Sequence, residues 1–318
     1  MSVYKSVPHI VRKIWGGQKL KEIRKLSSSG DSEELPVGET WEVSAHPDGP
    51  SYVEDSKAND GKLKLSDVIT IKECPYLIKY IDTSDNLSVQ VHPGDEYAGI
   101  HENSKGKAEC WIILEAKSGA GIYLGVQPEV NKEDFFNAAE AGKDVSQMMR
   151  FFPVSRGDFF FVPEGTAHAI GKDVTLIEIQ QCSGITYRVW DWNRVDDQGK
   201  GRELHIDHAK NVINFDPEAN QSKSFQMKMR SFNLPSGATL VDHPDFKVCV
   251  YSSEESFEKV IDLSQNDRAV SIVCLKGSLN VIIDGQDRVL DQYNNLVLYK
   301  EKEVKIESEK RCQFLLIT

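Results

Sequence analysis

Leu87-Ser-Val-Gln-Val-His-Pro93 is the stretch on which the reading of the fold turns. Successive side chains of a strand point to opposite faces, so Ser88, Gln90 and His92 share one face and Leu87, Val89 and Val91 the other. The result is a polar face opposed to an apolar one. Residues two apart on a face lie about 7 Å apart along the strand, near enough for the Gln90 amide oxygen and the His92 imidazole to converge on one metal ion. Taken alone, the stretch reads equally well as an ordinary half-exposed strand.

Working outward, most of the chain consists of short β-branched or aromatic runs punctuated by Gly, Pro, Asp and Asn, the pattern of an all-β sandwich or barrel. Strands are expected over 76–81, 87–92, 110–114, 121–126, 158–162, 175–179 and 186–192. Helices are expected at 131–142, where Asn131 precedes Asp134 at capping distance and Gly142 offers a stop, and at 144–152. A third is expected over 203–214, with Ile206, Ala209, Val212 and Ile213 on one side. The polar run 217–224 reads as a surface connection. Beyond it a second β region follows, with a turn at 276–278 and a strand 279–283 closed by the hairpin signal Asp284-Gly285.

The 318 residues exceed one small core and suit one large domain or two joined ones. With 40% hydrophobic and 27% charged residues the chain falls in the globular range rather than the disordered one. Lys+Arg 38 against Asp+Glu 49 leaves a net charge of −11, which disfavours nucleic acid or anionic lipid as a partner. Six cysteines without a C-x-x-C pair read as reduced, buried thiols of a reducing compartment. No run approaches the roughly 18 apolar residues of a membrane span, so a cytoplasmic protein is expected.

Two further stretches complete the polar site. Gly106-Lys-Ala-Glu-Cys-Trp111 places Lys107, Glu109 and Trp111 on one face if it is a strand, and Gly157-Asp-Phe-Phe-Phe-Val-Pro-Glu-Gly-Thr-Ala-His168 is a strand entering a turn that delivers His168. Together they supply His, Glu, His and a neutral oxygen, and His₂Glu with an open position is a catalytic zinc set. The other conspicuous residues read blandly. His46 belongs to a turn or supports the site, Trp15 and Trp41 are core or turn residues, and His101, His205 and His208 lie at the surface. Glu178 either lines the pocket or faces outward.

The order His92, Glu109, then Pro163-Glu-Gly-x-x-His168 is similar to the metal site of the cupin barrels. More closely, Gly38-Glu-Thr-Trp-Glu42, Ala45-His-Pro-Asp-Gly-Pro-Ser51, Pro75-Tyr-Leu-Ile-Lys79, Ser88 to Pro93, Lys107-Ala-Glu109 and Gly165-Thr-x-His168 resemble the zinc-dependent type I mannose-6-phosphate isomerases in their short bacterial form, over about 11–214. The resemblance implies a mainly β, cupin-type jelly roll with helical insertions. A catalytic domain over 1–230 would carry its insertion near 131–152, and a degenerate cupin-like domain without metal ligands would span 231–318. It implies Gln90, His92, Glu109 and His168 as ligands of one zinc, or another divalent metal, per chain. Arg188 and Lys107 are implied as active-site cations, and Lys79 and Ser88 as phosphate contacts.

The implied reaction interconverts mannose 6-phosphate and fructose 6-phosphate through a cis-enediol(ate), with a phosphosugar as partner and a monomer or small homo-oligomer as the assembly. A non-catalytic sugar-phosphate sensor and a cupin metalloenzyme of another class, such as an oxygenase, are the alternatives.

Overall fold

The computed structural model describes residues 3–26, 35–54, 61–301 and 303–318. Within them the chain divides into two compact units, one formed by 1–10, 40–79 and 230–318 and the other by 11–39 and 80–229. Residues 1–10 and 40–79 thus group with 230–318. The reason is main-chain pairing. Val3–Val7 hydrogen-bonds antiparallel to Asn295–Leu298 on one side and Tyr52–Glu54 on the other. The N-terminal strand thereby becomes an inner member of an eight-stranded sheet that also holds Ala238–His243, Phe246–Ser253, Cys312–Ile317 and Val270–Lys276.

In the second unit a five-stranded sheet runs in the order Met149–Pro153, Gly121–Val126, His168–Ile170, Val89–Val91, Tyr187–Trp190. The other sheet begins Phe159–Val162, Glu109–Ala116, Val174–Gln181. It continues through Tyr76–Asp82, Val37–Val43 and His9–Gly17, strands along which the chain passes from one unit to the other. Trp111, Ile113, Ile122, Leu124, Phe160, Ile170 and Leu176, from both sheets, form one buried cluster. A second cluster packs Val89, Val91, Ala167, Ala169 and Val189 against Phe135, Phe136 and Ala139 of the helix Lys132–Glu140 and Ala209 of the helix Ile206–Val212. Val89 and Val91 are therefore drawn under the helices, which turns Gln90 and His92 to the opposite face, as the alternation requires.

In the first unit the sheet Phe257–Asp262, Glu303–Ser308, Ser278–Ile283, Gln286–Asp291 shares its core with the eight-stranded sheet: Val281, Leu290 and Ile306 meet Ile272, Leu296 and Phe314. The hairpin at Asp284-Gly285 forms as expected, with φ 50° and 72°, the primed turn whose twist matches its strands. Gly277 (φ 80°) separates Val270–Lys276 from Ser278–Ile283, which pair in different sheets.

The helix expected over 131–142 forms at Lys132–Glu140, and the Asn131 side chain accepts the Asp134 N–H at 2.9 Å. The helix expected over 144–152 does not form. Asp144 closes a single 3-10 turn at Val145–Met148, and Met149–Pro153 is a strand paired with Gly121–Val126. Pro153 disfavours helix at Phe152, and cross-strand pairing of Phe151 with Tyr123 and Phe152 with Ile122 uses the same residues better. The third helix is shorter than 203–214: it starts at Ile206, and 203–205 remain outside it. The helix Asp95–His101 has no counterpart in the sequence reading.

Candidate metal centre

Register, more than any single residue, builds the site. In the five-stranded sheet His168 stands opposite Gln90, and Gln90 opposite Arg188, so the three form a row on one face. His92 follows two residues after Gln90 on that face. In the neighbouring sheet Gln180 stands opposite Glu109 and Glu178 opposite Trp111. Glu178 and Gln180 are both buried, so they point inward rather than to solvent.

His92, Glu109 and His168 converge, with ligand atoms all within 4.8 Å of one another. Glu109 Oε2 lies 3.3 Å from His92 Nε2, and Oε1 lies 3.4 Å from His168 Nε2. All three side chains are buried, and neither Glu109 oxygen receives a directed hydrogen bond from the described residues. A buried carboxylate left in that state is costly unless a cation neutralises it. The Lys107 ammonium rests against the same atoms, 2.9 Å from Glu109 Oε2 and 2.8 Å from His92 Nε2, which marks the point as a well for positive charge.

The protonation states suit a metal. Burial, reinforced by the Lys107 charge, pushes the His92 pKa down to about 3. Burial also lowers that of His168. Burial by itself raises the Glu109 carboxyl, but the Lys107 ammonium and the two imidazoles outweigh it and hold it well below the usual carboxylate range. His168 Nδ1 donates to the Thr166 carbonyl at 2.9 Å, which leaves Nε2 as the lone-pair nitrogen facing Glu109. The Gln90 amide lies 3.2 Å from His168 Nε2, and half a turn of that amide presents its oxygen. Two neutral imidazoles, one carboxylate and an amide oxygen fit a divalent metal.

Trp111 supports the centre. Its ring meets His168 edge to face at 5.5 Å, and its indole N–H donates to Glu178 Oε2 at 3.1 Å. Ser88 is buried just ahead of the Gln90 strand. Lys79 belongs to the first unit, buried, with its ammonium 4.8 Å from the centre of the Trp41 ring, and is not among the residues that the second unit gathers. His46 is a turn residue, its Nδ1 accepting the Asp48 N–H at 3.3 Å. Of the three outlying histidines, His101 is exposed, as expected, while His205 and His208 are half-buried. His208 stacks on Tyr187 at 4.6 Å, His101 stacks on Tyr97 at 4.1 Å, and His205 contacts Arg188. Their partners are aromatic rings and main-chain atoms, which a search for metal spacing does not find.

The comparisons with known proteins meet this geometry. A mannose-6-phosphate isomerase of Streptococcus mutans is 33% identical over 295 residues, 90% of this chain and 89% of the relative. The chain belongs to the type I phosphomannose isomerase family. The model of the type I phosphomannose isomerase catalytic domain matches residues 3–106. A probable mannose-6-phosphate isomerase of Bacillus subtilis is 40% identical over 215 residues, 65% of this chain and 66% of the relative. A crystal structure of the mannose 6-phosphate isomerase from Bacillus subtilis superposes with a TM-score of 0.79 at 27% identity, covering both chains completely. The mainly β cupin-type architecture, with helical insertions, is thus that of the family, and the chain is an aldose–ketose isomerase.

Proposed function

We propose that this isomerase interconverts mannose 6-phosphate and fructose 6-phosphate at the His92–Glu109–His168 centre, by moving a proton between C2 and C1 through a cis-enediol(ate). The observation that carries the reading is the buried Glu109 carboxylate facing two imidazoles kept neutral by burial. Gln90, His92, Glu109 and His168 would hold one divalent metal, zinc in the first instance, whose positive charge favours negative charge developing on the sugar oxygens. Using the neutral Gln90 oxygen where a second carboxylate would cancel charge leaves such a site net positive.

Arg188, permanently protonated, stabilises the same developing charge from the next strand and is not the base. The base that takes the C2 proton is sought among Glu178, Lys107 and a metal-bound water. Lys79 and Ser88 hold the phosphate, an assignment supported by the family resemblance.

The test is a coupled assay on mannose 6-phosphate before and after chelation, with each divalent metal restored separately. The expected result is activity lost on chelation and recovered with zinc. Run in D₂O, the reaction should place solvent deuterium in the product, whereas complete retention of the substrate hydrogen would point to a hydride shift and discard the enediol route. A chain inactive on mannose 6-phosphate with every metal would discard the assignment.

A further inference from the structure

The strand Tyr187–Trp190 is the edge of its sheet and pairs on one side only, with Val89–Val91. At Arg188 its other side is met by residues 203–205. The His205 N–H donates to the Arg188 carbonyl at 2.7 Å, the Arg188 N–H donates to His205 Nδ1 at 3.1 Å, and Arg188 Nη1 donates to the Glu203 carbonyl at 2.8 Å. Both main-chain groups and one arm of the guanidinium are therefore tied to the same short segment. That segment is anchored at each end. Arg202 binds the buried Asp191, with Nε 2.6 Å from Oδ2, and the helix Ile206–Val212 begins immediately after His205.

The chemistry of these partners is selective. Asp191, the nearest buried carboxylate in the sequence, is already engaged by Arg194 and Arg202. Arg188 is held instead at its guanidinium by the Glu203 carbonyl and at its main-chain N–H by the His205 imidazole, neither of which neutralises its charge, and its buried Nε has no hydrogen-bond partner among the described residues. We infer that His205 is the positioning residue of Arg188, a neutral acceptor that holds the arginine beside Gln90 with its charge reserved for substrate. The inference rests on the role proposed above for Arg188. Acceptance at Nδ1 requires the neutral imidazole with its proton on Nε2.

The test compares wild type, His205→Ala, His205→Asn and Arg188→Ala by steady-state kinetics on the full-length, metal-loaded protein, with metal content and melting temperature recorded for each. Asn places an acceptor oxygen near the position of Nδ1, whereas Ala removes it. Because misplacement by about 1 Å costs up to ~100-fold, His205→Ala should lower kcat by ~10- to 100-fold with KM within about twofold of wild type and metal content unchanged. His205→Asn should recover kcat to within about threefold of wild type. Unchanged kcat in His205→Ala, or equal losses in Ala and Asn, overturns the positioning role. The reading on which it rests fails separately: wild-type activity in Arg188→Ala removes the arginine from the reaction whatever the His205 variants do.

Discussion

Glu109 and His92 illustrate how burial sets chemistry one side chain at a time. In water neither would distinguish this protein. Removed from solvent, the imidazole sheds its proton and the carboxylate demands a cation, so the pair is prepared for metal before any metal arrives. His92→Ala and His168→Ala should each purify with most of the metal missing, as elemental analysis of protein grown without supplementation would report. Full occupancy in both variants would remove the site.

Arg188 is expected to act mainly on the transition state, so Arg188→Lys should lower kcat and kcat/KM together by ~10²–10³ while KM stays nearly constant. Lysine keeps the charge but loses the planar fork that the Glu203 carbonyl holds. Steady-state kinetics on folded, metal-loaded protein decide this, and near-wild-type kcat would assign the charge stabilisation elsewhere. For Lys79, loss of one charge-assisted contact to the phosphate is worth ~1.5–3 kcal/mol, so Lys79→Ala should raise KM roughly ten- to a hundredfold with metal content unchanged. An unaltered KM would leave Lys79 as the cation on the Trp41 face and nothing more.

The strands and helices owe their positions to a few local devices. Period-two alternation in 87–92 sends the valines under two helices and the polar residues inward, and a slip of one residue would turn the valines into the metal centre and bury Gln90 and His92 in the apolar core beneath the helices. Asn131 starts its helix by accepting an orphan N–H, and the Asp284-Gly285 turn closes its hairpin in register from Ser278 opposite Asp291 to Ile283 opposite Gln286. Gly277 is the most exacting of these positions. It combines φ 80° with an Arg311 carbonyl oxygen 2.5 Å from where a Cβ would stand. Gly277→Ala should destabilise by more than about 1 kcal/mol, lowering the denaturant midpoint of the full-length chain. An unchanged midpoint would mean that the backbone there relaxes freely.

For the chain taken together, the buried histidines tie stability to pH. His92 has a folded pKa of about 3 against an ordinary value of 6.5, and His168 is also lowered, so the unfolded chain binds more protons than the folded one in this interval. Stability therefore rises with pH there: the contribution is fully present above about 6.5 and is lost as pH falls toward 3. The lowered Glu109 carboxyl adds in the same direction below its ordinary 4.5. Metal-free protein should show a melting temperature that declines steadily on acidification below pH 6.5, and a flat profile down to pH 4 would contradict the assignment.

Much of the architecture is legible in the residues themselves. Alternation, turn dipeptides and caps are short-range, so the β character, the inward face of 88–92, the Lys132–Glu140 helix and the Asp284-Gly285 hairpin follow from neighbours in the chain. The His, Glu and His types, with the neutral oxygen donor Gln90 just ahead of them, likewise name the chemistry of the centre. What required the tertiary structure is pairing across long separations. Val3 opposite Leu298 joins the N-terminal strand to the C-terminal sheet, and nothing local to either segment announces it. The strand at Met149–Pro153 replaces a plausible helix because Gly121–Val126 offers it a partner. Glu178 and Gln180 turn inward because register sets them opposite Trp111 and Glu109, and His205 gains its role from the vacant edge of the Arg188 strand. Local propensity selects which elements form and which faces are polar; only the closing of the sheets, where hydrogen bonds and buried area are shared between distant residues, decides what those faces meet.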